Sequence, residues 1–229
     1  MDKMEFEYLR PGRFVDSDHP AVQAFAAAHA LPKATQLQQA VALYYAVRDG
    51  ILYDPYRVAP VPACYKASRC LEVGYGFCVT KAALLAAVAR VAGIPARLGY
   101  ADVRNHMTSM RLIEMMGTDL FAFHGYTELW LEGRWVKATP AFNLTLCQKA
   151  GVLPLEFDGR ADSIFHPFDA GGPPHMEYVD ERGSHAERIG HEACMLAAGA
   201  AEAVQEIFGD VVAALDRDLL DSVGHVLHR

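Results

Sequence analysis

The stretch Gly74-Tyr75-Gly76-Phe77-Cys78-Val79-Thr80-Lys81-Ala82-Ala83-Leu84-Leu85, continuing to Ala92-Gly93-Ile94-Pro95-Ala96-Arg97, decides how the chain is read. Two glycines allow a tight backbone turn, and the alanine- and leucine-rich run after them favours helix. Gly93 and Pro95 stop that run, so a helix is predicted over about 77–92 with Cys78 in its first turn. A thiol there meets the positive end of the helix dipole and N–H groups without intrahelical partners, which draw it toward the thiolate. One such N–H can also hold the oxyanion formed when sulfur attacks a carbonyl. The competing reading makes Cys78 a small buried hydrophobe, the usual fate of a free cysteine. Cys64, Cys70, Cys147 and Cys194 lack this setting and keep that second reading.

Downstream of Pro95 the texture changes to strands. Ala96–Val103, Phe121–Leu131 and Trp135–Ala138 are predicted strands, the last two joined at Glu132-Gly133-Arg134, a glycine-containing hairpin turn. In His124-Gly125-Tyr126-Thr127-Glu128-Leu129-Trp130-Leu131, alternation puts His124, Tyr126 and Glu128 on one face. A strand packed behind the cysteine helix could hold His124 as base to the sulfur. His124 is also one of ten histidines, and an ordinary structural hydrogen bond is the alternative. Thr108–Met116 fits neither strand nor loop clearly.

Upstream, Asp16-Ser17-Asp18 offer caps for a helix with Pro20 in its first turn and Val22, Phe25, Ala26 and Ala30 on one face. Thr35 and Gln38 form a capping-box pattern opening a second helix that runs to Gly50. Tyr53–Pro62, with its prolines and aromatics, is expected to be an extended, ordered loop. At the other end, 157–192 is polar and rich in Gly, Pro and His, with Gly171-Gly172-Pro173-Pro174 as a breaker. Val204, Ile207, Phe208, Val211, Leu215, Leu219 and Val223 then recur at helical spacing, a tail helix suited to core packing or to pairing with a second copy. The order is α+β in a single domain over 1–229: a core of about 35–150, a loop-rich section over 151–195 and a C-terminal helix over about 197–227.

Bulk properties bound the function. A hydrophobic fraction of 52% supports one buried core, and a net charge of −7 with no basic stripe argues against nucleic acid or anionic membrane as partner. The charged start of the chain and the short apolar runs lead us to expect a soluble, cytoplasmic protein. Five irregularly spaced cysteines form neither a zinc pattern nor a disulfide frame. His166, Asp169, His175 and Glu177 are metal-ligand types without a defensible spacing, so no metal or cofactor is assigned and a substrate-facing loop is the preferred reading. Asp102-Val103-Arg104-Asn105-His106 either holds a substrate carboxylate or amide through Arg104 or Asn105, or is a solvated loop with an Asx turn.

Three of these motifs, Gly74–Arg97, His124–Leu131 and Gly133-Arg134-Trp135-Val136, arrive in the order found in transglutaminase-like proteins, which the chain resembles from about Tyr44 to Asn143. The resemblance implies a papain-like α+β fold, with Cys78 as nucleophile at a helix start and His124 as its base on an adjacent strand. Members carry an aspartate in a Trp-x-x-x-Asp-Pro pattern; aligned by Trp135 and Pro140, that position is Thr139. Threonine can orient the imidazole by accepting a hydrogen bond but supplies no charge, and Asn143 or Glu128 could serve instead. Tyr75, Phe77, Arg104, Asn105 and Asn143 are the remaining candidates for substrate or oxyanion binding. The function expected is cysteine-dependent acyl transfer or hydrolysis on a small or peptide-like amide, ester or thioester. The alternative is a non-catalytic interaction domain that kept the fold after losing the carboxylate.

Overall fold

Thr35 starts the first long helix as its sequence predicts. Its hydroxyl accepts the Gln38 N–H at 3.2 Å while the Gln38 side chain accepts the Thr35 N–H at 2.9 Å. The structure is a computed structural model that describes residues 6–54, 57, 61–105, 120–164 and 176–186. Helix α1 spans Pro20–Ala28 and α2 spans Gln36–Gly50. The cap of α1 is His19, whose ring accepts the Ala21 N–H, rather than the acidic run before it. Asp16 is committed elsewhere: its carboxylate takes the Ser68 N–H and hydroxyl at 3.0 and 2.5 Å.

After α2 the chain forms β1 (Leu52–Tyr53), a 3-10 turn (Pro62–Tyr65), α3 (Ala67–Val73) and β2 (Tyr75–Gly76), which pairs in parallel with β1. Helix α4 (Cys78–Val91) follows at once and is buried on almost every side. Its alanines let α1, α2, α3 and the sheet approach it together. The sheet has the order β5-β4-β3-β6, with β3 Ala96–Asn105, β4 Leu120–Leu131, β5 Arg134–Ala138 and β6 Met176–His185, all neighbours antiparallel. Glu132 and Gly133 turn the β4–β5 hairpin with φ of 50° and 85°, the paired positive values of a type I′ turn. Helix α5 (Leu144–Ala150) closes the described core. Among the described residues no helix is long and apolar enough to cross a membrane.

Strand β6 corrects the reading of 157–192 as loop. Met176–His185 carries few apolar residues because it lies at the sheet's end, where charged side chains are tolerated and blunt an edge. Residues 106–119, 165–175 and 187–229 lie outside the described residues. The ambiguous segment around Thr108, His166, Asp169, His175, Cys194 and the tail helix fall there. Glu177 is described on β6, and among the described residues no cluster of His, Cys, Asp and Glu could hold a metal ion.

Lys81 ties α4 to α2. The side chain is fully buried, and Nζ donates to the Arg48 and Ile51 carbonyls at 2.8 and 2.6 Å. Burial lowers its pKa from 10.5 to about 7. The unfolded chain therefore keeps a proton that the folded chain releases, and stability rises with pH from 7 upward by up to ~1.4 kcal/mol per unit. Burial pushes the Cys70, Cys78 and Cys147 thiols up from 9.0 to about 11, so above 9 the unfolded chain ionises first and stability falls. Chemical unfolding should show a maximum near the lower of those values. Lys81→Met should abolish the rise and keep the fall; a variant that still rises in parallel with the parent would contradict this account.

Candidate active site

Cys78 is the first residue of α4, after an extended Phe77 with φ −124° and ψ −175°. The turn before it needs Gly76: a Cβ there would lie 2.3 Å from Thr80 Oγ1 and 3.0 Å from Cys70 Sγ. Thr80 fastens the helix start, its hydroxyl accepting the Phe77 N–H at 2.9 Å and donating to the Phe77 carbonyl at 3.2 Å. The Phe77 side chain is buried edge-on to Tyr65. Its ring and its N–H are both engaged in supporting the turn.

Strand β4 meets this helix start at backbone contact. A Cβ on Gly125 would fall 2.9 Å from Val79 Cα and 3.0 Å from Val79 Cγ2, and Thr127 Oγ1 donates to the Ala82 carbonyl at 2.8 Å. Gly125, directly after His124, is thus what lets the strand close on Cys78, a role its place in a strand pattern did not reveal. Gly125→Ala should cost about 1–3 kcal/mol, read as an unfolding midpoint at unchanged slope. A variant as stable as the parent would mean that the contact is not tight.

Burial weighs against a thiolate at Cys78. Cys78 is half-buried as a residue, yet burial of its thiol pushes the pKa up to about 11. The N–H groups of Gly125, Val79 and Cys78 itself pull it down, by less. Burial of the thiol thus works against the thiolate and outweighs the N–H groups at the helix start.

His124 lies on β4 opposite Ala101 of β3, half-buried, with its Nε2 enclosed. Thr139 comes one residue past the β5 ladder, whose last pair is Thr127 with Ala138, and so lies toward the His124 end of β4. Its backbone is clamped on both sides: its N–H donates to the Ser163 carbonyl at 2.9 Å and its carbonyl accepts Tyr44 Oη–H at 3.1 Å. The Thr139 hydroxyl is enclosed and has no hydrogen-bond partner among the described residues.

The other candidates for the third position are committed elsewhere. Asn143 is buried, Oδ1 accepting the Tyr53 N–H at 3.0 Å and Nδ2 donating to Thr145 at 2.6 Å, so it braces β1. Glu128 pairs with Arg97, which stacks 4.2 Å from the Trp135 ring centre. Tyr75 lies in β2 under the Arg57 guanidinium at 4.1 Å. Arg104 stands 3.6 Å from Glu177 across β3 and β6, and Asn105 ends β3 opposite Met176. Neither lies in a loop, as the alternative reading had it.

The family model of the transglutaminase-like superfamily matches residues 23–140, just over half of the chain. The chain belongs to the transglutaminase-like superfamily. Its helix-borne cysteine packed on an antiparallel sheet is the papain-like α+β arrangement of that superfamily. A candidate cysteine protease of Cytophaga hutchinsonii, known from a crystal structure, superposes with a TM-score of 0.48 at 17% identity over 81% of this chain and 55% of that one. The transglutaminase-like chain thus spans little more than half of that protein's length. No curated protein matches it.

Proposed function

We propose that this transglutaminase-like protein is a cysteine enzyme acting on acyl compounds, with Cys78 as nucleophile and His124 as base. Thr139 lies toward the His124 end of β4, but its hydroxyl makes no hydrogen bond to the imidazole, so the expected orienting role is not taken by that contact. The observation that carries this reading is the backbone contact of Gly125 with Val79, which sets the His124 strand against the turn bearing Cys78. In the acylation step the Cys78 proton passes to His124, sulfur bonds to the acyl carbon, and the oxyanion is met by N–H groups of the first turn of α4. The C–N or C–O bond then breaks and His124 returns the proton to the leaving group. Water or an amine next attacks the thioester with His124 as base, the C–S bond breaks and the thiol is regained. Small amides, esters, thioesters or peptide-like acyl donors suit a thiol nucleophile served by a histidine base.

A thiol with raised pKa and a threonine in place of the carboxylate point the same way, to a neutral thiol–imidazole pair at rest rather than an ion pair. The proton moves when substrate arrives, which places the work on His124 as general base. An activated acyl ester such as p-nitrophenyl acetate should leave a thioester on Cys78 that hydroxylamine removes. No acyl group on Cys78 under any acyl donor would leave the interaction-domain reading in its place.

A further inference from the structure

Asp102 of β3 is buried, and two strands aim polar groups at its carboxylate. Oδ1 accepts the Phe123 N–H at 3.1 Å and Arg182 Nε–H at 2.6 Å, and Oδ2 accepts Arg182 Nη2–H at 2.6 Å. The register explains how both reach it. His124 pairs with Ala101 and Phe121 with Val103, so Ala122 and Phe123 together stand opposite Asp102 as a bulge in β4. On the other flank Ser184 pairs with Gly99 and Glu181 with Ala101, which leaves Arg182 and Gly183 as a second bulge, in β6. Each bulge holds a residue of positive φ, 58° at Phe123 and 87° at Gly183. Glycine adopts such a backbone freely; phenylalanine does so only when its surroundings impose it.

Phe123 is held from two directions. The carboxylate takes its N–H, and the Arg182 guanidinium lies over its ring at 4.3 Å. Were Phe123 to relax to an extended backbone, the bulge would be lost, and the period of two along the strand would reset which face each neighbouring side chain takes. The next residue is His124. We propose that Asp102, together with Arg182, is a positioning residue that fixes the left-handed turn at Phe123 and thereby aims the His124 imidazole toward Cys78. This rests on the Cys78–His124 reading of the site.

The test is the rate of Cys78 alkylation by iodoacetamide against pH in the full chain. His124→Ala serves as the reference that loses the base. Asp102→Ala should fall by about tenfold or more at neutral pH, toward the His124→Ala profile. Asp102→Asn keeps an acceptor for the Phe123 N–H and should stay within about threefold of the parent. Asparagine tolerates the left-handed region, so Asp102→Ala in a Phe123→Asn background should also stay within about threefold of the parent. That double variant carries the test should Asp102→Ala alone not fold, and its collapse onto the His124→Ala profile would overturn the proposal. So would an Asp102→Ala profile equal to the parent while His124→Ala is shifted. A His124→Ala profile equal to the parent would instead remove the Cys–His reading and the positioning role with it.

Discussion

Mixed with p-nitrophenyl acetate, the parent protein is expected to release a burst of p-nitrophenol and to carry one acetyl group on Cys78, while Cys78→Ala does neither. His124→Ala should acylate about 10²–10⁴-fold more slowly, the range that a positioned general base contributes. The effect is large because the resting thiol is neutral. With its pKa pushed to about 11, it depends on a base at neutral pH more than a thiolate already held as an ion pair would. Competition from Cys70 and Cys147 should be small, because both side chains are buried. A burst that survives in Cys78→Ala, with the acetyl group found on Cys64, would end the assignment of the nucleophile.

The second large effect concerns position 139. Thr139→Ala removes a hydroxyl that has no partner among the described residues, so it should cost little stability and little of the acylation rate. Acylation should then fall by less than in His124→Ala. Thr139→Asp places a carboxylate on the His124 side of the β5 end, in an enclosed position where an unpaired charge is unfavourable. The way for that carboxylate to ionise is beside an imidazolium, which moves the Cys78 proton onto His124. Alkylation of Cys78 at neutral pH should rise by about tenfold or more, the equivalent of one unit in pKa. A Thr139→Asp variant that folds and alkylates at the parental rate or below would place residue 139 away from the ring.

The features that the sequence announces are those with local signals. Glycine, proline and an alanine-rich run mark the start and stop of α4, and the Thr35–Gln38 pair marks the start of α2. Glu132-Gly133 marks the β4–β5 turn. Helix α3 escaped because seven residues with no capping side chain give too short a period to read. Strand β6 escaped because an end strand lacks the apolar alternation by which strands are found. The state of Cys78 could not be read either, since burial depends on the strand that comes to cover the helix start. The polar run from Asp102 stands out in the sequence, but its pairing with Arg182 is not legible there, because that partner is distant in the chain and reaches it through a bulge.

The central claim is that Cys78 and His124 exchange a proton, and Cys78 alkylation by iodoacetamide between about pH 6 and 10 tests it most directly. A thiol of pKa about 11 standing alone would be ionised to roughly one part in ten thousand at pH 7. The parent should react faster than this fraction allows, and His124→Ala should be slower by about tenfold or more at neutral pH. The two should converge in alkali, where hydroxide takes the proton. Superimposable curves for the parent and His124→Ala across the range would contradict the claim.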